Sequence, residues 1–334
     1  MAVLVRPSDL DALGSQHHVL LTGGTGFFGL ALLRHFAALG AAAPRLTVLS
    51  RDPARFAAQH PQLAGRACWL QGDVLQAHKL PRGKRFSHVL HAAADSTLGP
   101  QLSPLQRYDQ IVSGTRQMLD FALACGAQRF LLTSSGGVYG RMPAGMVTVP
   151  ETYHGMPDPM DPQQAYGVAK RAAEHLCALY DQSSGLEVVV ARCFAFVGPD
   201  LPLNVHFAIG NFIRDALHGD RITVSGDGSP LRSYLDQADL ARWLMLLLHK
   251  GEAGAAYNVG SDEAISIAEL ANLVRDTLTP GKSVDIIGGS NFDHSQRSIY
   301  VPDIQKIKTG LGASVSVSLR DAITRAAQAA VLGA

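Results

Sequence analysis

The sequence predicts an α/β protein with a doubly wound parallel sheet and a smaller C-terminal lobe. Short apolar runs alternate with Ala- and Leu-rich helical patterns, which is typical of a parallel sheet covered by helices. The first apolar run also ends in a glycine-rich loop that opens a helix. With 334 residues, the chain is long enough for one large α/β domain and an appended lobe.

The glycine-rich loop predicts a dinucleotide site. Residues 22–29 read TGGTGFFG, and the glycines fit either G-x-G-x-x-G from Gly24 or a spacing of three and three from Gly23. A loop without Cβ atoms lets backbone N–H groups approach a pyrophosphate, and the positive end of the next helix favours negative charge. The loop follows a strand and precedes a second strand at 46–50, as a Rossmann-type βαβ unit requires.

The end of the second strand bears on the choice of dinucleotide. An NAD site usually offers a carboxylate to the ribose, whereas an NADP site offers a cation and small donors to the 2′-phosphate. Ser50 and Arg51 favour NADP. Asp52 can still turn back to a ribose in an NAD-binding arrangement, or it forms a solvated pair with the arginine before Pro53. We therefore expect NADP, with NAD as the alternative.

Three further strands are expected before the middle of the chain. The third ends near 69–74, the fourth covers 86–93, and the fifth covers 129–133 after a helix at 104–124. Asp73 would face the adenine or cap a helix. The small residues at the end of the fourth strand would let a cofactor lie close over the sheet edge.

A phenol and an amine form the second chemical signature. Tyr166 and Lys170 lie four positions apart in an Ala-rich helical pattern, so they share one face of a helix. A nearby ammonium favours the phenolate and lowers the pKa of a phenol from about 10. Such a pair alone is commonly a surface feature. Here the fifth strand ends in Ser134 and Ser135, whose hydroxyls could bond a substrate oxygen while the phenol exchanges a proton.

With these motifs the chain resembles the extended short-chain dehydrogenase/reductase family, in particular its nucleotide-sugar epimerases, dehydratases and ketoreductases. The resemblance covers nearly the whole chain. It rests on TGGTGFFG at 22–29, HAAA at 91–94, TSSGGVYG at 133–140, YGVAK at 166–170, RCFAFVGP at 192–199, GDGSPLRSYLDQADLA at 226–241, YNVGS at 257–261 and YVPDIQKIKTGLG at 300–312.

The resemblance implies a role for each matching residue. Tyr166 would be the catalytic base or acid, Lys170 would hold the nicotinamide ribose, and Ser135 would bond the substrate hydroxyl. Arg232 matches an arginine that clamps the substrate pyrophosphate, or is a surface charge after a turn. Asn204 is a weaker substrate candidate, since a loop Asn is more often a turn residue. The expected cofactor-binding residues are Gly23, Gly26, Phe27, Phe28, Gly29, Ser50, Arg51, Asp73, Val74, Ala92, Ala93, Ala94, Thr133, Tyr166 and Lys170.

The implied reaction is hydride transfer between the nicotinamide and a sugar carbinol carbon, most often C4. The family's 4,6-dehydratases carry an Asp-Glu pair after the catalytic Ser or Thr, and these positions are Gly136 and Gly137 here. We therefore favour an epimerase, with an NADPH-dependent 4-ketoreductase of a nucleotide keto-deoxysugar as the alternative. A 4,6-dehydratase, a reductase of a non-sugar ketone and a catalytically silent NADP sensor rank lower.

Three departures from the family pattern bear on the substrate more than on the cofactor. Ala195 and Ile111 stand where the family has asparagine, so two polar groups are missing. The Pro- and Gly-rich loop at 140–165 is longer than expected, so the sugar pocket could be lined differently.

The expected domain boundaries follow the motifs. A dinucleotide-binding domain is expected at 1–195 plus about 236–262, and a substrate-binding lobe at 196–235 and 263–334. Within the lobe, Gly226, Asp227 and Gly228 predict a turn that joins a hairpin of 222–225 with 231–235. A helix is expected to start at Asp239.

Composition excludes several other classes. A net charge of +1 without a basic run argues against a nucleic-acid partner, and no segment has the pattern of a signal peptide or a membrane span. We expect a cytoplasmic protein without a metal site, and a homodimer formed by the Ala- and Leu-rich faces near 116–125 and 170–179. Four cysteines without ligand spacing indicate small, mostly buried side chains: Cys68, Cys125, Cys177 and Cys193.

Overall fold

Strands and helices alternate along the first part of the chain, as the sequence predicts. A computed structural model describes residues 13–81, 83–94, 102–143, 145–205, 207–288 and 298–332. Its first elements are β1 (His18–Thr22), α1 (Phe27–Leu39), β2 (Arg45–Ser50), α2 (Pro53–Gln59), α3 (Pro61–Ala64), β3 (Cys68–Gln71), β4 (His88–His91), α4 (Pro104–Ala124), β5 (Arg129–Ser135), α5 (Ala165–Ser184) and β6 (Glu187–Cys193).

The later part of the chain has shorter strands between its helices. These elements are β7 (Phe196–Val197), α6 (Ala208–His218), β8 (Arg221–Val224), β9 (Leu231–Arg232), β10 (Leu235–Asp236), α7 (Gln237–Lys250), β11 (Ala256–Val259), β12 (Ile265–Ser266), α8 (Ile267–Leu278), β13 (Ser283–Ile286), β14 (Ile299–Tyr300), α9 (Gln305–Leu311) and α10 (Leu319–Leu332).

One seven-stranded sheet has the order β11-β6-β5-β4-β1-β2-β3. Strand β1 pairs in parallel with β2 on one side and with β4 on the other, so the strand order reverses at β1. Open α/β sheets bind ligands at such a switch point, outside the carboxyl ends of the strands. The doubly wound parallel sheet expected from the sequence is therefore confirmed, and the glycine-rich loop follows the strand at its switch point.

The core of this sheet explains its strand sequences. Residues of β1 and β4 are almost entirely buried, because helices cover both faces of a parallel sheet. Helices α4 and α5 pack against one another, and their apolar sides join the sheet in one core cluster. Ile111 belongs to this cluster and is 3% exposed, so the apolar residue at the family's asparagine position serves as packing.

The chain divides into two compact units. The first contains Met1–Gly140, Met156–Arg192 and Ala241–Tyr257. The second contains Arg141–Gly155, Cys193–Leu240 and Asn258–Ala334. The core of the second unit is formed mainly by α6, α8 and α10 with short strands, and Ala195 packs at the margin of that core.

The expected hairpin at 222–235 is wrong. Strand β8 pairs in parallel with β13, whereas β9 pairs with β12 and β14. The Asp227 carboxylate accepts hydrogen bonds from the backbone N–H and hydroxyl of Ser229, and the carbonyl of Gly228 accepts one from the N–H of Ala268. The glycine-rich segment is thus a loop closed on itself and on α8, so each flanking strand finds a partner distant in sequence.

Smaller differences concern boundaries and side chains. Helix α7 begins at Gln237, two residues before the expected start, because the Asp236 carboxylate accepts from the N–H of Ala238. All four cysteines are free, and three are buried while Cys68 is exposed. Among the residues described, no helix combines the length and apolarity that a membrane crossing needs.

Candidate active site

The glycine-rich loop follows β1 in a backbone conformation that only glycine adopts easily. Gly23 has φ +73°, and a Cβ atom there would overlap the carbonyl of Ala92 after β4. A Cβ at Gly29 would overlap the backbone of Gly24. Gly26 is the N-cap of α1, and no side chain in the described ranges caps this helix. The loop therefore forms a narrow cradle at a helix N-terminus, which fits a dinucleotide pyrophosphate.

The fourth strand is shorter than expected because its end is held by the first strand. The strand stops at His91 instead of 93, and the Thr22 hydroxyl accepts a hydrogen bond from the N–H of Ala93 at 3.2 Å. The same hydroxyl lies 2.7 Å from Nδ1 of His91. Ala92, Ala93 and Ala94 follow the end of this strand and have small side chains.

His91 is an uncharged group in this edge. Burial lowers its pKa to about 3, and the positive charge of Lys170 adds to the shift. The imidazole is therefore neutral at physiological pH.

At the end of β2, the residues expected near the adenosine half have mixed roles. The Asp52 carboxylate caps α2 by accepting from the N–H of Arg55 at 2.9 Å. The Ser50 hydroxyl accepts from the N–H of Asp52, and Arg51 is exposed. One carboxylate oxygen of Asp52 thus has a structural partner, and both Arg51 and Asp52 are exposed at this strand end.

The third strand is followed by another capping carboxylate. Asp73 accepts from the N–H of Leu75 and caps the short helix Val74–Lys79. Val74 lies against α4, where a Cβ at Gly114 would be 3.3 Å from its Cγ2 atom. The capping interpretation of Asp73 is confirmed, and its contact with adenine stays a prediction.

Helix α5 brings the amine and the phenol to the end of β5. The Nζ atom of Lys170 donates to the carbonyl of Thr133 at 2.7 Å and lies 5.9 Å from the centre of the Tyr166 ring. The lysine is 4% exposed. A buried ammonium beside a phenol stabilises the phenolate electrostatically, so this geometry suits proton exchange.

Ser135 is presented on the same edge through the short helix Gly136–Tyr139. Its hydroxyl accepts from the N–H of Gly137 at 3.1 Å. A Cβ at Gly137 would lie 3.4 Å from this hydroxyl and 3.8 Å from the nearest ring carbon of Tyr166. Ser135 and Tyr166 therefore flank the same glycine, which itself places no side chain between them.

Ser134 has a different environment from Ser135. Its hydroxyl donates to the Glu174 carboxylate at 2.5 Å, and this carboxylate is paired with Arg192 at 2.8 Å. The Arg192 guanidinium also donates to the hydroxyl of Tyr139. Ser134 is therefore part of a structural network between β5, α5 and β6, and the sequence motifs do not predict this network.

Arg107 on α4 also contacts the phenol and is not among the site residues predicted from the sequence. Its guanidinium carbon lies 4.7 Å from the centre of the Tyr166 ring. The sequence does indicate that Arg107 faces the interior. Arg107, Ile111 and Gly114 are spaced to lie on one helix face, and Ile111 and Gly114 are buried. An arginine on the buried face of a helix is unusual and requires a partner there.

The remaining two candidates belong to the second unit. Arg232 is half-buried, and its guanidinium donates to the carbonyls of Leu231 (2.7 Å) and Ser298 (3.2 Å). Burial lowers its pKa, and no carboxylate pairs with it among the described residues. Asn204 is exposed in a turn. Arg232 thus has the properties of an anion-binding residue, while Asn204 has those of a turn residue.

Metal chemistry has no evident site in the described ranges. No group of three or more His, Cys, Asp or Glu side chains is arranged there to hold a metal ion.

Comparisons with known proteins agree with this geometry. Residues 19–260 match the model of the NAD dependent epimerase/dehydratase family. UDP-glucuronic acid decarboxylase 2 of Arabidopsis thaliana is 32% identical over 310 residues, which cover 91% of this chain and 66% of that protein, just under two thirds of its length.

Solved structures give the same fold. A dTDP-glucose 4,6-dehydratase of Streptomyces venezuelae with NAD bound has a TM-score of 0.77 at 26% identity, covering 94% of this chain and 97% of that one. A UDP-glucose 4-epimerase of Thermotoga maritima has a TM-score of 0.77 at 22% identity, covering 94% and 99%.

Proposed function

Because the chain belongs to the NAD-dependent epimerase/dehydratase family, we propose that it is an NAD(P)-dependent enzyme that epimerises a nucleotide-activated sugar at a carbinol carbon, C4 in the simplest case. The observation that carries this proposal is the edge of β5, where Ser135 and Tyr166 flank Gly137 and Lys170 lies behind the phenol. This edge holds groups for proton exchange at one hydroxyl, and Gly136 and Gly137 supply no second acid or base for an elimination.

The cradle after β1 and the small residues after β4 would hold the dinucleotide. The loop Gly23–Gly29, with Phe27 and Phe28 in the first turn of α1, would bind the pyrophosphate, and Asp73 and Val74 would face the adenine. The bound nicotinamide supplies the hydride acceptor and donor. Lys170, held by the carbonyl of Thr133, would bond the nicotinamide ribose.

Proton movement is the task of this chain's own side chains. In the oxidation, the phenolate oxygen of Tyr166 takes the proton of the sugar hydroxyl as the hydride leaves the same carbon. The Ser135 hydroxyl bonds the substrate oxygen, and the ammonium of Lys170 stabilises the negative charge on the phenol. In the reduction, Tyr166 returns its proton to the ketone oxygen while the hydride comes back.

The glycines after Ser135 argue for return of the hydride without loss of a substrate group. Gly136 and Gly137 have no acid or base to remove a proton from a neighbouring carbon or to protonate a leaving hydroxyl. This supports epimerisation over 4,6-dehydration.

Net reduction of a keto-sugar is the second candidate, and the end of β2 supports it. Arg51 is exposed there, and Asp52 is engaged as the cap of α2. A cation with the Ser50 hydroxyl suits a 2′-phosphate, so we propose NADP as the cofactor, with NAD as the alternative. Ketoreductases that consume NADPH fit this preference.

The substrate is proposed to be a nucleoside diphosphate sugar, with UDP sugars first. The related Arabidopsis protein is named for UDP-glucuronic acid. Arg232 supports a diphosphate, because a guanidinium without a carboxylate partner among the described residues suits phosphate oxygens. Asn204 would be a further contact to the nucleotide.

A homodimer through α4 and α5 is also proposed. These helices pack together in the first unit, and Leu123 and Leu179 are exposed on them. The mass in light scattering tests this point, and a monomeric mass at assay concentrations would contradict it.

The decisive experiment incubates the purified protein with UDP-glucose, UDP-glucuronic acid and a nucleotide 4-keto-6-deoxysugar, each with and without NADPH. Nicotinamide absorbance and product NMR are followed together, and the Tyr166→Phe variant gives the background. Exchange between C4 isomers without net loss of NADPH supports the epimerase. Net NADPH loss with the keto-sugar supports the ketoreductase instead. Release of CO2 from UDP-glucuronic acid, or formation of a 4-keto-6-deoxy product from UDP-glucose, would contradict the proposal.

A further inference from the structure

Arg107 contacts the phenol ring that is proposed to carry the proton. It lies on α4, one helical turn before Ile111 of the core, and its guanidinium carbon is 4.7 Å from the centre of the Tyr166 ring. The Nε atom of Arg107 is buried and has no hydrogen-bond partner among the residues that the structure describes. The guanidinium of Arg107 is thus packed on an aromatic ring, and its Nε–H group is removed from water.

This arrangement has an energetic cost that a neutral ring offsets poorly. A buried N–H of a charged group without a partner is unfavourable, and a cation over a neutral phenol recovers only part of that cost. The attraction grows when the phenol ionises, because the ring and its oxygen then carry a full negative charge. The stack is therefore more favourable for the phenolate than for the phenol.

Two cationic groups lie near the Tyr166 ring. From α5, the ammonium of Lys170 lies 5.9 Å from the ring centre, and from α4 the guanidinium of Arg107 lies 4.7 Å away. From the end of β5 come the neutral hydroxyl of Ser135 and the backbone of Gly137. His91, behind Lys170, is neutral because burial lowers its pKa.

We propose that Arg107 is a positioning residue for Tyr166, which clamps the ring in place and holds its phenolate form together with Lys170. The inference rests on the proposed function only in that Tyr166 is taken as the proton carrier. A planar guanidinium can stack on the ring and keep its charge near the oxygen at once, which an ammonium on a flexible stem does less well.

The test measures ionisation of Tyr166 directly. The ultraviolet absorbance of phenolate is titrated in the enzyme and in its Tyr166→Phe variant, and their difference isolates this one phenol. Arg107→Met keeps a long side chain on the ring and removes the charge, so the midpoint should rise by about 1 pH unit or more. Arg107→Lys should give a smaller rise, and it also serves if the Met variant does not fold.

Arg116→Met is the matched control. This arginine lies on the same helix, is 61% exposed, and pairs with Asp120 rather than with the active site. Its titration midpoint should equal that of the wild type. Equal midpoints in the wild type and in the folded Arg107 variants would overturn the proposal.

A kinetic readout separates this inference from the proposed function. Once a substrate is known, the acid limb of the kcat profile should move with the phenol midpoint in Arg107→Met, by about tenfold in rate per pH unit, while KM changes little. A shifted phenol titration in a protein that turns over no nucleotide sugar would support the role of Arg107 and refute the proposed reaction. An unshifted titration in an active epimerase would do the reverse.

Discussion

The two units place their candidate residues by different means. In the first unit, Lys170 is bound to the carbonyl of Thr133 at the end of a seven-residue strand, and the phenol lies one turn away on a twenty-residue helix. In the second unit, Arg232 lies on a two-residue strand between β12 and β14 and is held by main-chain carbonyls. A long helix or strand fixes the direction of its side chains by its own regular backbone. The position of a two-residue strand depends instead on the strands that pair with it.

The same contrast decides how well local pattern predicts structure. Strands β1 and β2 pair with each other and are joined by a single helix, so motif and pairing lie in one stretch of sequence. Strand β8 pairs with β13, about sixty residues later in the chain. Single substitutions in the first unit should therefore change turnover as the motifs predict. The following experiments compare such substitutions with substitutions in the second unit.

The largest effect is expected at Tyr166. Tyr166→Phe keeps the ring against Arg107 and Lys170 and removes only the hydroxyl that exchanges the proton, so turnover should fall by about 10²- to 10⁴-fold with cofactor binding retained. Steady-state kinetics and a nicotinamide binding titration measure the two properties. Tyr180→Phe, on the same helix and bonded to Asp120, is the control. Turnover equal to that of the wild type would remove Tyr166 from the mechanism.

A large pH effect on stability is expected from His91, beneath the cofactor edge. Burial lowers its pKa to about 3 in the folded chain, so below its ordinary value of 6.5 only the unfolded chain binds the proton. This contribution to stability is complete above pH 6.5 and is lost as the pH falls towards about 3. The loss from this residue is about 2 kcal/mol between pH 6.5 and 5.

Urea unfolding at several pH values measures this effect. The unfolding free energy of His91→Asn should depend less on pH across that window than that of the wild type. His175→Asn changes an exposed histidine of α5 and should leave the wild-type slope intact. Parallel curves for wild type and His91→Asn would show that His91 is not the titrating group.

A substitution at Arg232 tests whether the second unit contributes to binding of the nucleotide sugar. Removal of its charge by Arg232→Met should raise KM for the nucleotide sugar by about 10- to 100-fold, since hydrogen bonds between charged groups contribute about 1.5–3 kcal/mol, while kcat changes little. Arg221→Met, which breaks an exposed ion pair with Asp285 in the same unit, is the control. A loss of kcat at constant KM would show that Arg232 acts in the chemical step. It would contradict the view that only residues of the first unit take part in that step.

The smallest effect is expected at the end of β2. Arg51→Asp should shift preference from NADP towards NAD by about fivefold in the ratio of kcat/KM values, because an exposed charge contact contributes about 1 kcal/mol. Arg66→Asp makes the same charge change at another exposed arginine and should leave the ratio unaltered. An unchanged ratio in both variants would show that Arg51 does not contact the 2′-phosphate.

Sequence patterns predicted the parts of the site that are local. The loop of Gly23 and Gly29 was recognisable because only glycine fits its φ angle and close backbone approach. The contact of Arg107 with Tyr166 could not be predicted, because Tyr166 follows 59 positions later and lies on another helix. The hairpin prediction around Gly228 was wrong. A turn does form there, but strand β8 pairs with β13, which lies far along the chain.

By itself the sequence determined the parallel α/β sheet, the glycine cradle after the first strand and the spacing of phenol and amine on one helix face. These features depend on local periodicity and on backbone angles that few residues adopt. Only the tertiary structure decided that Ser134 joins the Glu174 network while Ser135 borders the phenol, and that Arg107 stacks on the same ring. These are contacts between separate elements, and packing against distant partners determines them.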